Sequence, residues 1–352
     1  MRKKILHIVG SLNQTRQLYK ISQEMPEHDH YFTQFFGSGK VFRWIAESGM
    51  VDFTIMGTKS KFRQDQHEFL EQVGAQYDYR GSTLGFKYDL VFICSDMIVP
   101  KEIRYSRIIF VQEGMTDPLS FKSKLLRKLN MPAWTTGDTS LNGTSNLCDI
   151  YCVASDGYAR FFSSMGTDRR KIVVTGIPNF DNAASFLYND FPYRDYVLVC
   201  TSDIRETARF DDRMAFLDKC NQIAGDRQVI FKLHPNEKVH RAQKEIRQVF
   251  GDDIQIFAKG NTDHMIANCS ELITQYSSVV YIGLALGKKV HSYFPMDQLL
   301  ERMPLQNGGT SAKRIAEIAK KFLEFNGTGI ELLNSMQYKP LFETQTPRMI
   351  YE

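Results

Sequence analysis

Apolar residues along this chain fall into short runs separated by polar stretches of helical period. The runs at 5–9, 31–36, 50–56, 90–94 and 107–111 read as strands, as do 150–154 and 171–176. Between them, 14–25 places Leu18, Ile21 and Met25 on one helical face, and 41–47, 61–79 and 157–165 also read as helices. The stretch 182–194 loses periodicity and holds Pro192, so it reads as a linker. The pattern then restarts with strands at 197–200, 229–233, 254–257, 271–274 and 289–293, and ends on an amphipathic helix at 311–325. Strands that alternate with helices predict parallel, doubly wound sheets. The expected fold class is α/β, with two Rossmann-like domains facing each other across a cleft. The expected bounds are 1–182 for the N-terminal domain, 183–195 for the linker, 196–330 for the C-terminal domain and 331–352 for an irregular tail.

Bulk numbers change this picture little. A chain of 352 residues accommodates two such domains, and 43% apolar with 24% charged residues is the composition of a soluble globular protein. A net charge of +4 is too small to point to nucleic acid, and no nucleic-acid partner is expected. The six cysteines are scattered without a CxxC pair, which suits buried free thiols in a reducing cytosol. The basic start Met1-Arg2-Lys3-Lys4 precedes an apolar run too short for a signal peptide, so 5–9 is read as the first buried strand. No run approaches the ~20 apolar residues of a membrane span. The segment 121–129 mixes lysines and arginine with apolar residues. As a helix it suits peripheral contact with an anionic membrane, against the plainer reading of a domain helix with a solvated basic face. The expected location is the cytoplasm, with the inner face of the membrane open.

Candidate chemistry lies where strands end, because open α/β sheets bind ligands beyond the carboxyl ends of their strands. Neither half carries G-x-G-x-x-G or a Walker A sequence, which disfavours a dehydrogenase and a P-loop NTPase. Gly10-Ser11-Leu12-Asn13 after the first strand is only a weak turn signal. Gln112-Glu113-Gly114 follows the strand 107–111, and Glu113 is placed to act as a general base, with Asp117 as a second candidate. The plainer reading of both is a solvated loop carboxylate. His234-Pro235 breaks the strand 229–233, and an imidazole held there can donate a hydrogen bond to phosphate; otherwise it is a turn histidine. Gln275-Tyr276-Ser277-Ser278 precedes an apolar helix, so its hydroxyls are read at N-cap positions, binding phosphate together with Gln275 or simply capping. Thr201-Ser202-Asp203-Ile204-Arg205-Glu206-Thr207 offers Thr201 and Arg205 as further phosphate contacts, or as ordinary surface. Gly176 is a candidate nucleotide contact or, more plainly, part of a hinge with Pro178.

In order and context, Gln112-Glu113-Gly114, His234-Pro235 and Ser277-Ser278 resemble the acidic-acidic-Gly, His-Pro and Ser-Ser/Thr motifs of bacterial inverting glycosyltransferases of the GT-B architecture, the sialyl- and Kdo-transferases. That resemblance implies that Glu113 is the catalytic base and that the His-Pro and Ser-Ser residues hold the nucleotide of the donor. The chain departs from the pattern at Gln112, which replaces the first acid and leaves one carboxylate. The surroundings of His234-Pro235 and of 275–287 are also similar to CDP-glycerol polymerising transferases. Much of the chain is similar to UDP-N-acetylglucosamine 2-epimerase, through Val174-Thr175-Gly176, Arg205-Glu206, His234-Pro235-Asn236 and Leu286-Gly287-Lys288. That family uses a further catalytic carboxylate from a Pro-Glu-Glu-x-Asn-Arg segment. The corresponding stretch here, 139–146, contains no acid.

These resemblances imply a metal-independent inverting glycosyltransferase of bacterial surface polysaccharide synthesis. It would move a sugar from a CMP- or UDP-activated donor to the hydroxyl of a glycan or lipid-linked glycan acceptor. The nucleotide sugar is a co-substrate, and no separate cofactor is expected. No Asp-x-Asp motif stands at a strand end, so no metal site is expected. A nucleotide-sugar epimerase, a CDP-glycerol-type phosphotransferase and a non-catalytic nucleotide-sugar-binding protein remain alternatives.

Overall fold

The structure is a computed structural model that describes residues 1–52, 57–82, 84–129, 131, 133–136, 138–206 and 210–336. It divides into two compact units. The first comprises Met1–Asp181 together with 307–336, and the second is Asn182–Gln306.

The first unit is built on six parallel strands: β1 (Lys4–Val9), β2 (Asp29–Gln34), β3 (Leu90–Ile93), β4 (Arg107–Val111), β5 (Ile150–Val153) and β6 (Ile172–Val174). Their order is β2-β1-β3-β4-β5-β6. β3, β4 and β5 are apolar throughout or nearly so, as strands covered on both faces must be. The helices of this unit are α1 (Leu12–Gln23), α2 (Lys40–Glu47), α3 (Lys61–Gln72), α4 (Phe121–Lys128) and α5 (Asp156–Ser164). In the aromatic core Phe110 packs at a tilt on Tyr151, ring centres 4.3 Å apart, and Tyr151 on Phe162 at 4.9 Å. The strand expected at 50–56 does not start as one, since Met50, Val51 and Asp52 form a turn, and its remainder lies outside the described residues.

The second unit contains β7 (Val197–Cys200), β8 (Val229–Lys232), β9 (Gln255–Phe257), β10 (Glu271–Thr274) and β11 (Lys289–His291). The sheet order is β11-β10-β7-β8-β9, all parallel. The chain runs outward from β7 to β9, returns to β10 on the other side of β7, and so makes a topological switch point between β7 and β10. Its helices are α6 (Arg213–Ala224), α7 (Val239–Phe250), α8 (Thr262–Asn268), α9 (Val280–Ala285) and α10 (Met296–Glu301). Val197 and Val199 of β7 and Phe231 of β8 pack with Phe216 and Leu217 of α6 and Ile246 of α7. Gly283 sits where α9 meets the sheet. A β-carbon there would stand 2.8 Å from Leu272 and 3.0 Å from Val290, so only glycine permits the approach.

Two further helices follow among the described residues, α11 (Ser311–Glu324) and α12 (Gly329–Ser335). The expectation that 307–330 belongs to the C-terminal domain is corrected here. α11 packs against α1 and belongs to the first unit. Asp181 anchors the return: its carboxylate accepts from the Ser311 amide at 2.8 Å and its carbonyl from the Asn307 amide at 3.0 Å. Arg107 on β4 then stacks over the Phe322 ring and donates to the Phe325 carbonyl at 2.7 Å. Periodicity identifies the helix but carries no information on which core its apolar face covers. The tail expected to be irregular over 331–352 is helical to Ser335, and 337–352 lies outside the described residues. The aperiodic stretch after 182 opens on a 3-10 helix, Ala183–Leu187, within the second unit.

Candidate functional site

In the first unit, Glu113 stands two residues beyond β4. Its two carboxylate oxygens each receive one short hydrogen bond, from the Ser11 hydroxyl at 2.6 Å and from the Gln14 amide at 2.6 Å. Ser11 caps α1 by accepting from the Gln14 amide N–H at 3.2 Å. The Gln14 side-chain oxygen in turn accepts from the Gly10 N–H at 2.7 Å. The loop after β1, a weak signal in the sequence, is therefore the cradle of the carboxylate. Ser11 and Gln14 were missed because a serine before a helix reads as an ordinary cap. Glu113 keeps part of its surface exposed. Burial of its carboxyl pushes the group above the usual carboxylate range, opposed by the two hydrogen bonds, which favour the charged form. The result is a fixed carboxylate with raised proton affinity, which suits a general base.

Gln112 explains why the chain carries one acid here. Its amide accepts from the Ala154 N–H at 2.9 Å and donates to the Gly114 carbonyl at 2.8 Å. A carboxylate could make the first bond but not the second. Asp117 has a different part. Its Oδ2 accepts from the Thr139 amide at 3.0 Å and hydroxyl at 2.8 Å, while its own N–H donates to the Thr139 hydroxyl at 2.9 Å, so it clasps two loops together. Gly176 adopts a positive φ of +74°, and a β-carbon there would meet the Ser311 hydroxyl at 2.3 Å. Its local reason is close packing on the start of α11 inside the first unit.

In the second unit, the loops after β7, β8 and β10 lie side by side. Thr274, Cys200 and Lys232 are paired in register across the three strands, so Gln275, Thr201 and Leu233 open the next row. Adjacent strands are about 4.8 Å apart, which puts the β8 and β10 loops roughly 10 Å from each other around the switch point. A buried polar network holds them. Ser202 donates to the Gln275 side-chain oxygen at 2.5 Å, and the Gln275 amide donates to Asp211 at 2.6 Å. Arg213 lies 3.3 Å from Asp211 and donates to Glu237 at 2.6 Å. Glu237 also accepts from the Thr201 hydroxyl and, at 3.0 Å, from the His234 N–H.

This network assigns several of the expected ligand contacts to support. Thr201 is buried and bonded to Glu237. Gln275 is fully buried, with both ends of its amide engaged inside the unit. Arg205 is gripped through both terminal nitrogens by Glu245 of α7, each at 2.8 Å, and that contact raises its pKa. Lys232 turns inward and donates to the Leu233 carbonyl at 2.7 Å. Thr207 lies outside the described residues. Sequence reasoning missed Glu237, Arg213 and Asp211. Glu237 alone had a local signal, an acid three residues after the chain turns at His234, where it reaches back to that residue's N–H in the manner of a capping box.

His234, Ser277 and Ser278 remain partly exposed. The His234 Nδ1 accepts from the Asn236 N–H at 3.2 Å, while Asp203 is 3.6 Å away, too far for a hydrogen bond. The network therefore assigns the proton to Nε2, leaving that atom as the donor. Burial lowers the imidazole pKa, with Asp203 and Glu237 opposing, so the neutral form is favoured at neutral pH. The serines do not cap α9, contrary to expectation. The cap position is Val279, with no side-chain bond, and the amides of Val280 and Tyr281 bond the carbonyls of Ser277 and Ser278. The backbone turn satisfies itself and leaves the hydroxyls out of it. Beside them, a pocket of about 460 Å³ in this unit is lined by Ile204, Phe210, Asp211, Phe216, Tyr276 and Tyr293. Among the described residues, no cluster of three His, Cys, Asp or Glu side chains could hold a metal ion. All six cysteines are buried and unpaired, with burial raising Cys148 and Cys220 to about 12 and Cys269 to about 11.

No protein-family model matches this chain, and no curated protein does. Solved structures do. A Listeria monocytogenes structure assigned to UDP-N-acetylglucosamine 2-epimerase aligns with a TM-score of 0.59 at 11% identity, over 92% of this chain and 97% of its own. The UDP-GlcNAc 2-epimerase of Neisseria meningitidis, bound to UDP-GlcNAc, gives 0.54 at 11% identity, over 90% and 100%. The wall teichoic acid polymerase TagF gives 0.50 at 10% identity, over 92% and 89%. At such identities the likeness defines the fold: two Rossmann-like units of the GT-B kind, with parallel sheets. It leaves the chemistry to the residues themselves.

Proposed function

We propose that this chain is a glycosyltransferase that uses a nucleotide-activated sugar, with Glu113 as the general base toward an acceptor hydroxyl. The observation that carries this reading is the Glu113 carboxylate, fixed by Ser11 and Gln14 and raised in proton affinity at the carboxyl end of β4. The hydroxyl oxygen forms a bond to the anomeric carbon, the bond from that carbon to the donor phosphate breaks, and Glu113 takes the proton. The His234 Nε2–H and the hydroxyls of Ser277 and Ser278 donate to the departing phosphate, a charge-stabilising role. The aromatic pocket at Tyr276 and Tyr293 suits the flat face of a nucleobase. The acceptor is a glycan or lipid-linked glycan of a bacterial surface polymer, and the donor is a CMP- or UDP-sugar.

An epimerase is the second reading, favoured by two of the structural likenesses. Against it stands the absence of a second candidate carboxylate at 139–146. The acids that contact this stretch from outside hold the loop: Asp117 accepts from Thr139, Asp138 accepts from the Ser140 N–H at 3.0 Å, and the buried Asp96 accepts from the Gly143 N–H at 2.6 Å and the Ser145 N–H at 2.8 Å. The deciding experiment first ranks CMP-, UDP-, CDP- and GDP-sugars by thermal shift, where saturation at ~100 times Kd adds about 2.7 kcal/mol of apparent stability. The best donor is then incubated with the protein alone and with glycan acceptors. Product only with acceptor supports transfer. Isomerised sugar without acceptor overturns it, and a phospho-polyol product from a CDP donor moves the reading to a phosphotransferase.

A further inference from the structure

α4 is turned the wrong way round for a helix that only packs on its own domain. Residues 121, 125 and 129 are four apart, so they advance about 40° per step and form one stripe. They are Phe121, Leu125 and Leu129, and they are 83%, 46% and 62% exposed. The side that faces the body buries a single residue, Ser123, whose hydroxyl bonds to Ser120 and, at 2.7 Å, to Ser140. An amphipathic helix normally buries its apolar stripe and exposes its polar one. Here the small polar residue is inside, Leu126 is half-buried, and the three large apolar residues of the stripe are outside.

The surroundings extend the patch. Met131 bonds back to the Leu126 carbonyl at 3.0 Å, and Met131 and Trp134 are themselves 45% and 48% exposed. Lys124 and Lys128 flank the stripe on one side and Lys122 on the other. From 118 to 137 the sequence contains four Lys or Arg and no Asp or Glu, a local charge equal to the +4 of the whole chain. Lys122 is tied to the Thr136 carbonyl at 2.8 Å, which leaves Lys124 and Lys128 as the cations beside the apolar stripe.

We propose that α4, with Leu129 and Trp134 beside it, is a peripheral membrane-docking surface, with Phe121, Leu125, Leu129 and Trp134 entering the interface and Lys124 and Lys128 contacting anionic lipid headgroups. The choice of lipid over a protein partner rests on charge complementarity. A convex apolar stripe bordered by lysines, with aromatic residues at its edge, matches an anionic bilayer surface, where each added cation near the headgroups strengthens binding. No helix among the described residues is long and apolar enough to cross a membrane, so this is contact with one leaflet. The inference stands on the first unit alone and does not depend on the proposed chemistry.

The test is co-sedimentation of the full chain with vesicles of phosphatidylcholine alone and of phosphatidylcholine mixed with phosphatidylglycerol. The expected result is binding to the anionic vesicles only, weakened by added salt. Lys124→Gln with Lys128→Gln should lower that affinity roughly 25-fold, at about fivefold per lysine. Phe121→Ser, Leu125→Ser and Leu129→Ser together should lower it at least tenfold, on the order of what loss of three apolar anchors implies. All five side chains are exposed, and an unchanged melting temperature shows that the variants are folded. Failure of the wild type to bind anionic vesicles, or unchanged binding in the triple variant, overturns the proposal. So does a dimer in sedimentation velocity that the triple variant abolishes, which would give the stripe to a second copy of the chain.

Discussion

The loop after β4 and the loops after β7, β8 and β10 solve the same problem in different ways. Glu113 is the end of a short chain of support: two neutral side chains, both from the start of α1, fix its two oxygens. His234 is the visible edge of a large charged network that runs from Ser202 through Gln275, Asp211 and Arg213 to Glu237. On the proposed function, the difference follows from what each group must do. A base needs its proton affinity raised; burial does that for Glu113, and the two neutral hydrogen bonds offset it only in part, where a cationic partner would lower it further. A phosphate site needs donors held at fixed positions, and three loops can be held together only by groups that reach between them. On that reading, function in the first unit is separable from stability, while in the second the buried groups that place the loops couple the two.

The largest expected effect tests the separable half. Glu113→Gln should reduce transfer by about 10²–10⁴-fold while donor affinity and melting temperature stay at the wild-type values. Asp117→Asn should leave the rate near wild type, since its carboxylate is engaged by Thr139. The pH profile sharpens the assignment. A base must be deprotonated to act, and burial raises the Glu113 pKa, so the acid limb of the rate should lie above the ordinary glutamate value of about 4.3. The rate rises as pH climbs through that limb. An acid limb at or below the ordinary value, or full activity in the Glu113 variant, would remove the cradle from the chemistry.

The coupled half should break through stability. Glu237→Ala leaves the buried Arg213 guanidinium with Asp211 as its one carboxylate and a long bond to the Ser202 carbonyl, and it removes the stronger of two acceptors from both the Thr201 hydroxyl and the His234 N–H. Removing one partner of a buried pair costs about 3–5 kcal/mol, and the remaining Asp211 places the expected loss near 3 kcal/mol. Urea denaturation of the variant should show it, with a separate transition for the second unit if the two units unfold independently. A midpoint equal to wild type would mean that the loops hold their places without Glu237. His234→Ala, by contrast, should fold normally and lose donor affinity by about 10- to 100-fold, the range for one hydrogen bond to a charged group. Titration calorimetry with the best donor separates the two variants.

Much of this arrangement was legible in the sequence, and the part that was not has a common cause. Apolar runs revealed the strands because parallel sheets covered on both faces leave a continuous hydrophobic record. Glu113 and His234 were visible because each follows such a run directly. Ser11, Gln14, Arg213 and Asp211 were not, because their roles depend on which loop comes to lie beside which. Ser11 bonds a residue 102 positions away, and Gln275 bonds Ser202 across 73. Local composition also misled in one direction. Thr201, Gln275 and Arg205 have the chemistry of phosphate ligands, but the same groups are what a buried network needs. Composition cannot distinguish a group that faces ligand from one that holds the loop behind it. Docking of α11 onto the first unit was lost for the same reason, since an amphipathic period specifies a face and not its partner.

The smallest expected effect concerns Ser277 and Ser278, and it separates capping from binding. Were the hydroxyls caps, replacing them with alanine would cost about 1 kcal/mol of stability. The structure gives the cap position to Val279 and closes the turn with backbone bonds from the Val280 and Tyr281 amides. Ser277→Ala with Ser278→Ala should therefore change the denaturation midpoint by no more than about 0.5 kcal/mol, the range of an uncommitted surface position. If the hydroxyls donate to phosphate, the double variant should weaken nucleoside diphosphate binding while affinity for the bare nucleoside is unchanged, because the proposed base contacts are those of the Tyr276–Tyr293 pocket. Unchanged affinity for both ligands would leave the serines with no part in the site and place the phosphate elsewhere along the His234 loop. A loss of stability without a loss of affinity would restore the capping role that the backbone geometry argues against.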